Sequence, residues 1–123
     1  MNPCLFCQIP KSDVIRESML GYVIYDKFPV NPGHVLIIPK RHVASLFDLS
    51  QEELINLFDH IKRIKEDLDK SFKPDGYNVG VNCGEAAGQT IFHLHIHLIP
   101  RYKGDVEAPR GGVRNLKKPL VEY

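Results

Sequence analysis

The chain has 123 residues, 43% of them hydrophobic and 25% charged, and 16 basic side chains against 15 acidic ones leave a formal charge of +1. That length suits one domain with its own core, and the charge balance gives no electrostatic footprint for nucleic acid or an anionic membrane. No apolar run approaches the ~20 residues that span a bilayer, and Met1-Asn2-Pro3-Cys4 lacks the basic and apolar regions of a secretory leader, so a cytoplasmic setting is expected.

Cys4 and Cys7 form a CxxC pair, and Cys83 makes the cysteine count odd. An odd count argues against a disulfide framework and for a reducing compartment. On its own the pair is compatible with redox chemistry or half a zinc site, and further metal ligands would have to come from far along the chain. Cys83 reads as a small loop residue. A short helix is expected near residues 11–18. Residues 20–28, rich in β-branched and aromatic side chains, read as a strand. Pro29-Val-Asn-Pro-Gly33 is a turn cluster, and His34-Val-Leu-Ile-Ile-Pro39 is a second strand closed by proline.

Ser50-Gln-Glu-Glu53 is a capping box that opens a long helix. Leu54, Leu57, Phe58, Ile61, Ile64 and Leu68 supply its apolar spacing, and Pro74-Asp75-Gly76 ends it. His60, set among charged neighbours, reads as a solvated surface residue. Tyr77–Val81 is a third strand, followed by a loop of small residues from Asn82 to Gln89 and a last strand that ends at Pro100. The order of elements predicts an α+β fold with a mainly antiparallel sheet of about five strands, one long helix and a short N-terminal helix. The expected division is a domain over 1–105 and a charged tail over 106–123, draped on the domain or on a second subunit.

The most informative run is Phe92-His93-Leu94-His95-Ile96-His97-Leu98-Ile99. On an extended strand His93, His95 and His97 share one face at repeats of roughly 7 Å, and Leu94, Ile96 and Leu98 share the other. Such an imidazole row suits either of two chemistries: three ligands for a zinc ion that activates water, or an imidazole nucleophile that forms a covalent intermediate. The preceding loop favours the second. Gly84, Ala86, Ala87 and Gly88 permit close backbone approach and an amide nest for an anion, and Gln89 and Thr90 offer neutral hydrogen-bonding groups suited to phosphate oxygens and a leaving group. The carboxylate typical of hydrolytic zinc sites is missing there.

Gly88-Gln89-Thr90-Ile-Phe-His93-Leu-His95-Ile-His97-Leu-Ile resembles the signature of the histidine triad (HIT) superfamily, and Pro32-Gly33-His34-Val-Leu-Ile-Ile-Pro39 resembles its second block. Pro100-Arg101 with Lys103-Gly104-Asp105 is similar to the segment after the triad in Fhit and bacterial HIT hydrolases, and Cys4/Cys7 points toward the bacterial group. The resemblance runs from about Cys4 to Asp105. It implies a homodimeric HIT fold and a hydrolase or transferase of nucleotides. His95 would be the nucleophile, flanked by His97 and His34. Gln89 and Thr90 would contact phosphate oxygens and the leaving group, Asn82 would lie near ribose and phosphate, and Asp26 would accept from the ribose hydroxyls. His97 stands where the galactose-phosphate uridylyltransferase branch has glutamine, which favours hydrolysis. The resemblance also implies a structural zinc on Cys4, Cys7, His42 and His93, with no organic cofactor.

The expected substrate is a nucleoside 5′-phosphoramidate, with a purine favoured, cleaved through a nucleotidyl-histidine. Alternatives are a dinucleoside polyphosphate substrate, or a nucleotide-binding sensor or scaffold with incidental hydrolysis. Neither nucleic acid nor a membrane is an expected partner.

Overall fold

The computed structural model describes residues 4–117; residues 1–3 and the 118–123 part of the expected tail lie outside that range. Five strands form one sheet: β1 (Val14–Glu17), β2 (Gly21–Tyr25), β3 (Val35–Pro39), β4 (Gly76–Val81) and β5 (Ile96–Arg101). Their order across the sheet is β1-β2-β3-β5-β4, and every neighbouring pair is antiparallel. One helix, α1 (Gln51–Phe72), covers one face. The expected α+β fold is the observed one. The short N-terminal helix reduces to a single 3₁₀ turn, Lys11–Asp13, because residues 14–17 pair with β2 as an edge strand.

Helix α1 begins as its capping box requires: the Ser50 hydroxyl accepts from the Glu53 amide, and the Glu53 carboxylate accepts from the Ser50 amide. It ends at Lys73, whose φ of 50° is left-handed, directly before Pro74. Leu57, Ile61, Ile64 and Leu68 pack on Val23, Val35, Ile37, Leu94, Ile96 and Leu98. Gly21 lies so close beneath this helix that a Cβ there would stand 2.7 Å from Leu57 Cδ2. Phe58, by contrast, points outward and is 49% exposed. His60 is buried at 4% exposure, its Nε2 2.8 Å from Ser18 Oγ, which corrects its reading as a surface residue. Three residues after Leu57 and four before Ile64, it belongs to the buried stripe by helical spacing.

Alternation along the strands sends Tyr22, Ile24, Leu36 and Ile38 to the opposite face. There they form a second cluster with Phe6, bordered by Cys4, Ile9, Val14 and Ile91. No helix covers this face among the described residues; an irregular N-terminal segment does. The described part of the tail, residues 106–117, is mostly exposed, with a 3₁₀ turn over Gly112–Leu116.

Candidate active site

The helix-free face carries the chemistry. Asp26 follows Ile24 by two positions, His34 precedes Leu36 by two, and His97 pairs with Leu36 across β3 and β5, so all three project to the side of the second cluster. Strand β5 begins only at Ile96, so His93 and His95 lie in the segment before it and not in the sheet as expected. The alternation nevertheless persists, with Leu94, Ile96 and Leu98 buried under the helix.

Each histidine is fixed by one neighbour, and that neighbour sets which nitrogen carries the proton. The Val30 amide donates to His34 Nδ1 at 3.0 Å. The His34 proton is therefore on Nε2, which donates to His97 Nδ1 at 2.9 Å and lies 3.4 Å from an Asp26 carboxylate oxygen. His97 in turn must carry its proton on Nε2. His95 Nδ1 lies 2.9 Å from the His93 carbonyl, an acceptor only, so Nδ1 is the protonated nitrogen and Nε2 keeps a free lone pair. Two adjacent rings, with centroids 5.2 Å apart, thus hold opposite roles: His95 Nε2 as nucleophile or base, His97 Nε2 as donor.

Burial keeps His97 neutral and pulls it down to about 4, with repulsion from His95 and His34 adding to this and Asp26 opposing it. Burial likewise lowers His34, against the attraction of Asp26. The turn that holds His34 is itself clamped. Asp105 binds Arg101 at 2.8 Å through both oxygens and accepts from Asn31 Nδ2 at 2.8 Å, while the Tyr102 hydroxyl donates to the Pro32 carbonyl at 2.8 Å.

His95, His97 and Asp26 open on a cavity of about 170 Å³ whose other walls include Leu5, Phe6 and Ile24. An apolar slot ending in a carboxylate and two imidazoles suits a flat base attached to a polar, anionic group. The Asp26 Oδ1 already accepts from the Phe28 amide at 2.8 Å, leaving Oδ2 toward the histidines. Asn82 and Thr90 are exposed on the loop beside β4 and ahead of β5. Gln89 is buried at 4% exposure: its carbonyl accepts from the Gly84 amide and its amide donates to the Ala44 and Ile91 carbonyls. Its carboxamide braces the loop here and would have to rotate to meet a phosphate. The expected amide nest is also largely spent, because the amides of Gly84, Ala87, Gly88 and Gln89 all find acceptors within the loop.

His93 has a different task. Its Nε2 donates to the Pro39 carbonyl at 2.7 Å, which turns the Nδ1 lone pair toward Cys4, Cys7 and His42. Nδ1 lies 3.3 Å from Cys4 Sγ, 3.5 Å from Cys7 Sγ and 3.2 Å from His42 Nδ1, and Cys7 Sγ is 3.3 Å from His42 Nδ1. Metal–nitrogen bonds of about 2.0 Å and metal–sulfur bonds of about 2.3 Å in a tetrahedron give edges of roughly 3.3 Å for N···N and 3.5 Å for N···S. The four residues fit a metal ion. The Cys7 thiol is raised first by its hydrogen bond to Cys4 and then by burial, a contest between two thiols that a cation would relieve. The rival arrangement, His93, His95 and His97 around one ion, is not formed: the free His93 nitrogen faces Cys4, Cys7 and His42, and among the described residues the three histidines make no ligand cluster.

The cavity walls Leu5, Phe6 and Ile9 and the tie between Asn31 and Asp105 depend on contacts between distant parts of the chain and are not legible in the sequence.

The five-stranded antiparallel sheet with one long helix is the fold of HIT proteins of known structure. The model of the HIT domain family matches residues 8–104. The chain belongs to the HIT family. It is 39% identical over 94 residues to the asymmetrical bis(5′-nucleosyl)-tetraphosphatase of Schizosaccharomyces pombe, a match covering 76% of this chain and about half, 52%, of that protein. It is 35% identical over 102 residues to the adenosine 5′-monophosphoramidase of the same yeast, covering 80% and 74% of the two chains. Among solved structures, a Zn-bound histidine triad family protein from Mycobacterium smegmatis superposes with a TM-score of 0.76 at 34% identity, covering 85% of this chain and 79% of that one.

Proposed function

We propose that the protein hydrolyses nucleoside 5′-phosphoramidates in two steps through a nucleotidyl-histidine. The observation that carries this reading is the pair of opposite tautomers, a free lone pair on His95 Nε2 beside a proton on His97 Nε2. His95 Nε2 attacks the α-phosphorus while the phosphorus–nitrogen bond breaks, and the amine leaves with a proton drawn from solvent, which the attacking water of the second step gives back. The His97 Nε2–H meets the negative charge on a phosphoryl oxygen. Water then attacks the same phosphorus, freeing His95 and releasing the nucleoside monophosphate. Asp26 Oδ2 accepts from the ribose hydroxyls, the apolar slot takes the base, a purine being favoured by the adenosine in the name of the phosphoramidase relative, and Gln89, Thr90 and Asn82 serve the phosphate end.

Zinc is the metal this reading places on Cys4, Cys7, His42 and His93, supported by the mixed thiolate–imidazole set and by the Zn-bound relative. It would pin the N-terminal segment to the sheet and take no part in the chemistry, and free thiols suit a cytoplasmic, reducing setting. The working unit is a homodimer of 1–105 domains joined through the open edge of β4, where Val79 is 46% exposed, with the 106–123 tail lying over the domain or its partner. A second reading, cleavage of dinucleoside polyphosphates by the same two steps, draws on the tetraphosphatase relative.

The test is the release of AMP from adenosine 5′-phosphoramidate and, in parallel, from diadenosine tetraphosphate, by the wild-type protein and by His95→Asn. Release from the phosphoramidate that falls by at least about 10³-fold in a folded variant is expected. Faster release from the tetraphosphate would move the assignment to that substrate, and release from neither would end the hydrolase reading.

A further inference from the structure

The cavity and the metal cluster share one piece of chain. Cys4 and Cys7 are two of the four ligand residues, and Leu5, Phe6 and Ile9, between and just beyond them, wall the cavity that His95 and His97 close. Phe6 joins the two sites directly. Phe6 is buried, its ring meets the His95 ring edge-on with centroids 5.0 Å apart, and it meets the His93 ring at 6.0 Å and 88°. The segment is a turn with neither helix nor strand to hold it. Its backbone bonds are a Gln8 amide on the Leu5 carbonyl at 3.3 Å and the Tyr22 hydroxyl on the Phe6 carbonyl, and the Cys7 amide donates to Cys4 Sγ at 3.3 Å. Among the described residues no other backbone hydrogen bond fixes its position, and isolated turns of this length have no stability of their own.

From this we infer that metal binding and nucleotide binding are coupled through Phe6: the metal sets the cavity wall, and a bound nucleotide holds the metal. The inference rests on the nucleotide reading of the cavity given above. It follows because an ion on Cys4 and Cys7 restricts both ends of the Leu5–Phe6 segment, so the wall is ordered before the ligand arrives and the ligand need not order it. Linkage makes the effect reciprocal: whatever factor the metal adds to nucleotide affinity, the nucleotide adds to metal affinity. His95 is affected in the same way, since Phe6 is the apolar surface against which its ring rests. Phe6 is thus a positioning residue and a wall, with no part in bond making.

The experiment uses AMP as the probe and zinc as the metal, with the full chain. Titration calorimetry measures AMP affinity for zinc-loaded and chelator-stripped protein, and transfer of zinc to a chromogenic chelator is timed with and without saturating AMP. We expect stripping to weaken AMP about tenfold, within the span of ordinary allosteric couplings, and AMP to slow zinc transfer by a similar factor. Phe6→Ala keeps all four ligand residues. It should bind one zinc per chain, bind AMP as weakly as the stripped protein, and lose the protection of zinc by AMP. Should the stripped protein unfold, this variant decides the matter. Equal AMP affinity with and without zinc, or wild-type affinity and protection in Phe6→Ala, overturns the coupling while leaving the nucleotide site intact. Absence of AMP binding in the zinc-loaded protein overturns the nucleotide reading itself, and absence of zinc binding overturns the metal limb.

Discussion

The two faces of the sheet solve the same burial problem by different means. On one, a 22-residue helix with a reciprocal N-terminal cap lays Leu57, Ile61, Ile64 and Leu68 across Val23, Ile37 and Ile96. Its backbone groups are satisfied internally, and each of those side chains contributes about 1.5–3 kcal/mol, an upper figure because the unfolded chain already hides part of its surface. On the other face, Tyr22, Ile24, Leu36 and Ile38 are covered by Phe6 and a few partly buried neighbours, with no helix among the described residues. A helix there would seal the slot into which Asp26, His95 and His97 open. A face that must admit a ligand can bear only a light cover, and a light cover requires a local tie, here the four residues gathered at His93.

The largest effect belongs to the helical face. Leu57→Ala, at a fully buried site, should lower global stability by about 2–5 kcal/mol in chemical denaturation. AMP affinity of the folded fraction should not change. A matching loss of affinity would mean the two faces are not independent.

Asp105→Ala tests the clamp behind the catalytic face. Removing its bonds to Arg101 and Asn31 loosens the turn that supplies the Val30 amide to His34, and turnover should fall about 10–100-fold, the usual cost of losing an orienting partner. Asp105→Asn, which can still accept from Asn31, should recover part of it. An unchanged pH–rate profile in Asp105→Ala would show that the turn does not control the tautomer of His34.

Acid sharpens the comparison further. His34 and His97 on the site face, and His60 on the helical face, are all held below their ordinary value chiefly by burial. Above about pH 6.5 these imidazoles are neutral whether the chain is folded or not, and stability is indifferent to them. As pH falls below about 6.5, the unfolded chain takes up protons that the native state refuses, so stability drops by up to about 1.4 kcal/mol per pH unit for each histidine until its own native value is reached, which for His97 is about 4. The buried Glu53, pushed down to about 2 by its hydrogen bond to Arg41, is still ionised in the native state there and adds its own loss only below its unfolded value, at lower pH. Urea midpoints at pH 7, 6 and 5 should therefore decline before the carboxylates titrate, and His60→Asn should remove only the helical share. A midpoint that rises on acidification would contradict the burial of these rings.

Much of this was legible in the residues because it depends on local rules. The capping box, the proline stops and the alternation of Leu94, Ile96 and Leu98 each carry their own physics within a few positions. His60 and Phe58 were misread for the same reason: neighbouring charge and residue type suggested their exposure, whereas the angular position around the helix decides it. The expected helix at 11–18 failed because pairing with β2 outweighs weak local preference at an edge. Gln89 shows a different limit. A polar side chain in a loop can face a ligand or its own backbone, and only the folded loop shows the carboxamide turned inward onto Gly84, Ala44 and Ile91. The wall made by Leu5, Phe6 and Ile9 was likewise hidden, since it depends on Cys4 and Cys7 meeting His93, almost ninety positions along the chain.

On the proposed mechanism His95 forms a covalent bond to the nucleotide, and the four residues gathered at His93 take no part in the chemistry. This is tested most directly by quenching the zinc-loaded protein during turnover of adenosine 5′-phosphoramidate and mapping adducts by peptide mass spectrometry. An adenylyl group on the peptide containing His95, absent in His95→Asn, is the result this account requires. No adduct at any stage of turnover, together with immediate loss of activity on adding a chelator, would contradict it and return the chemistry to the metal.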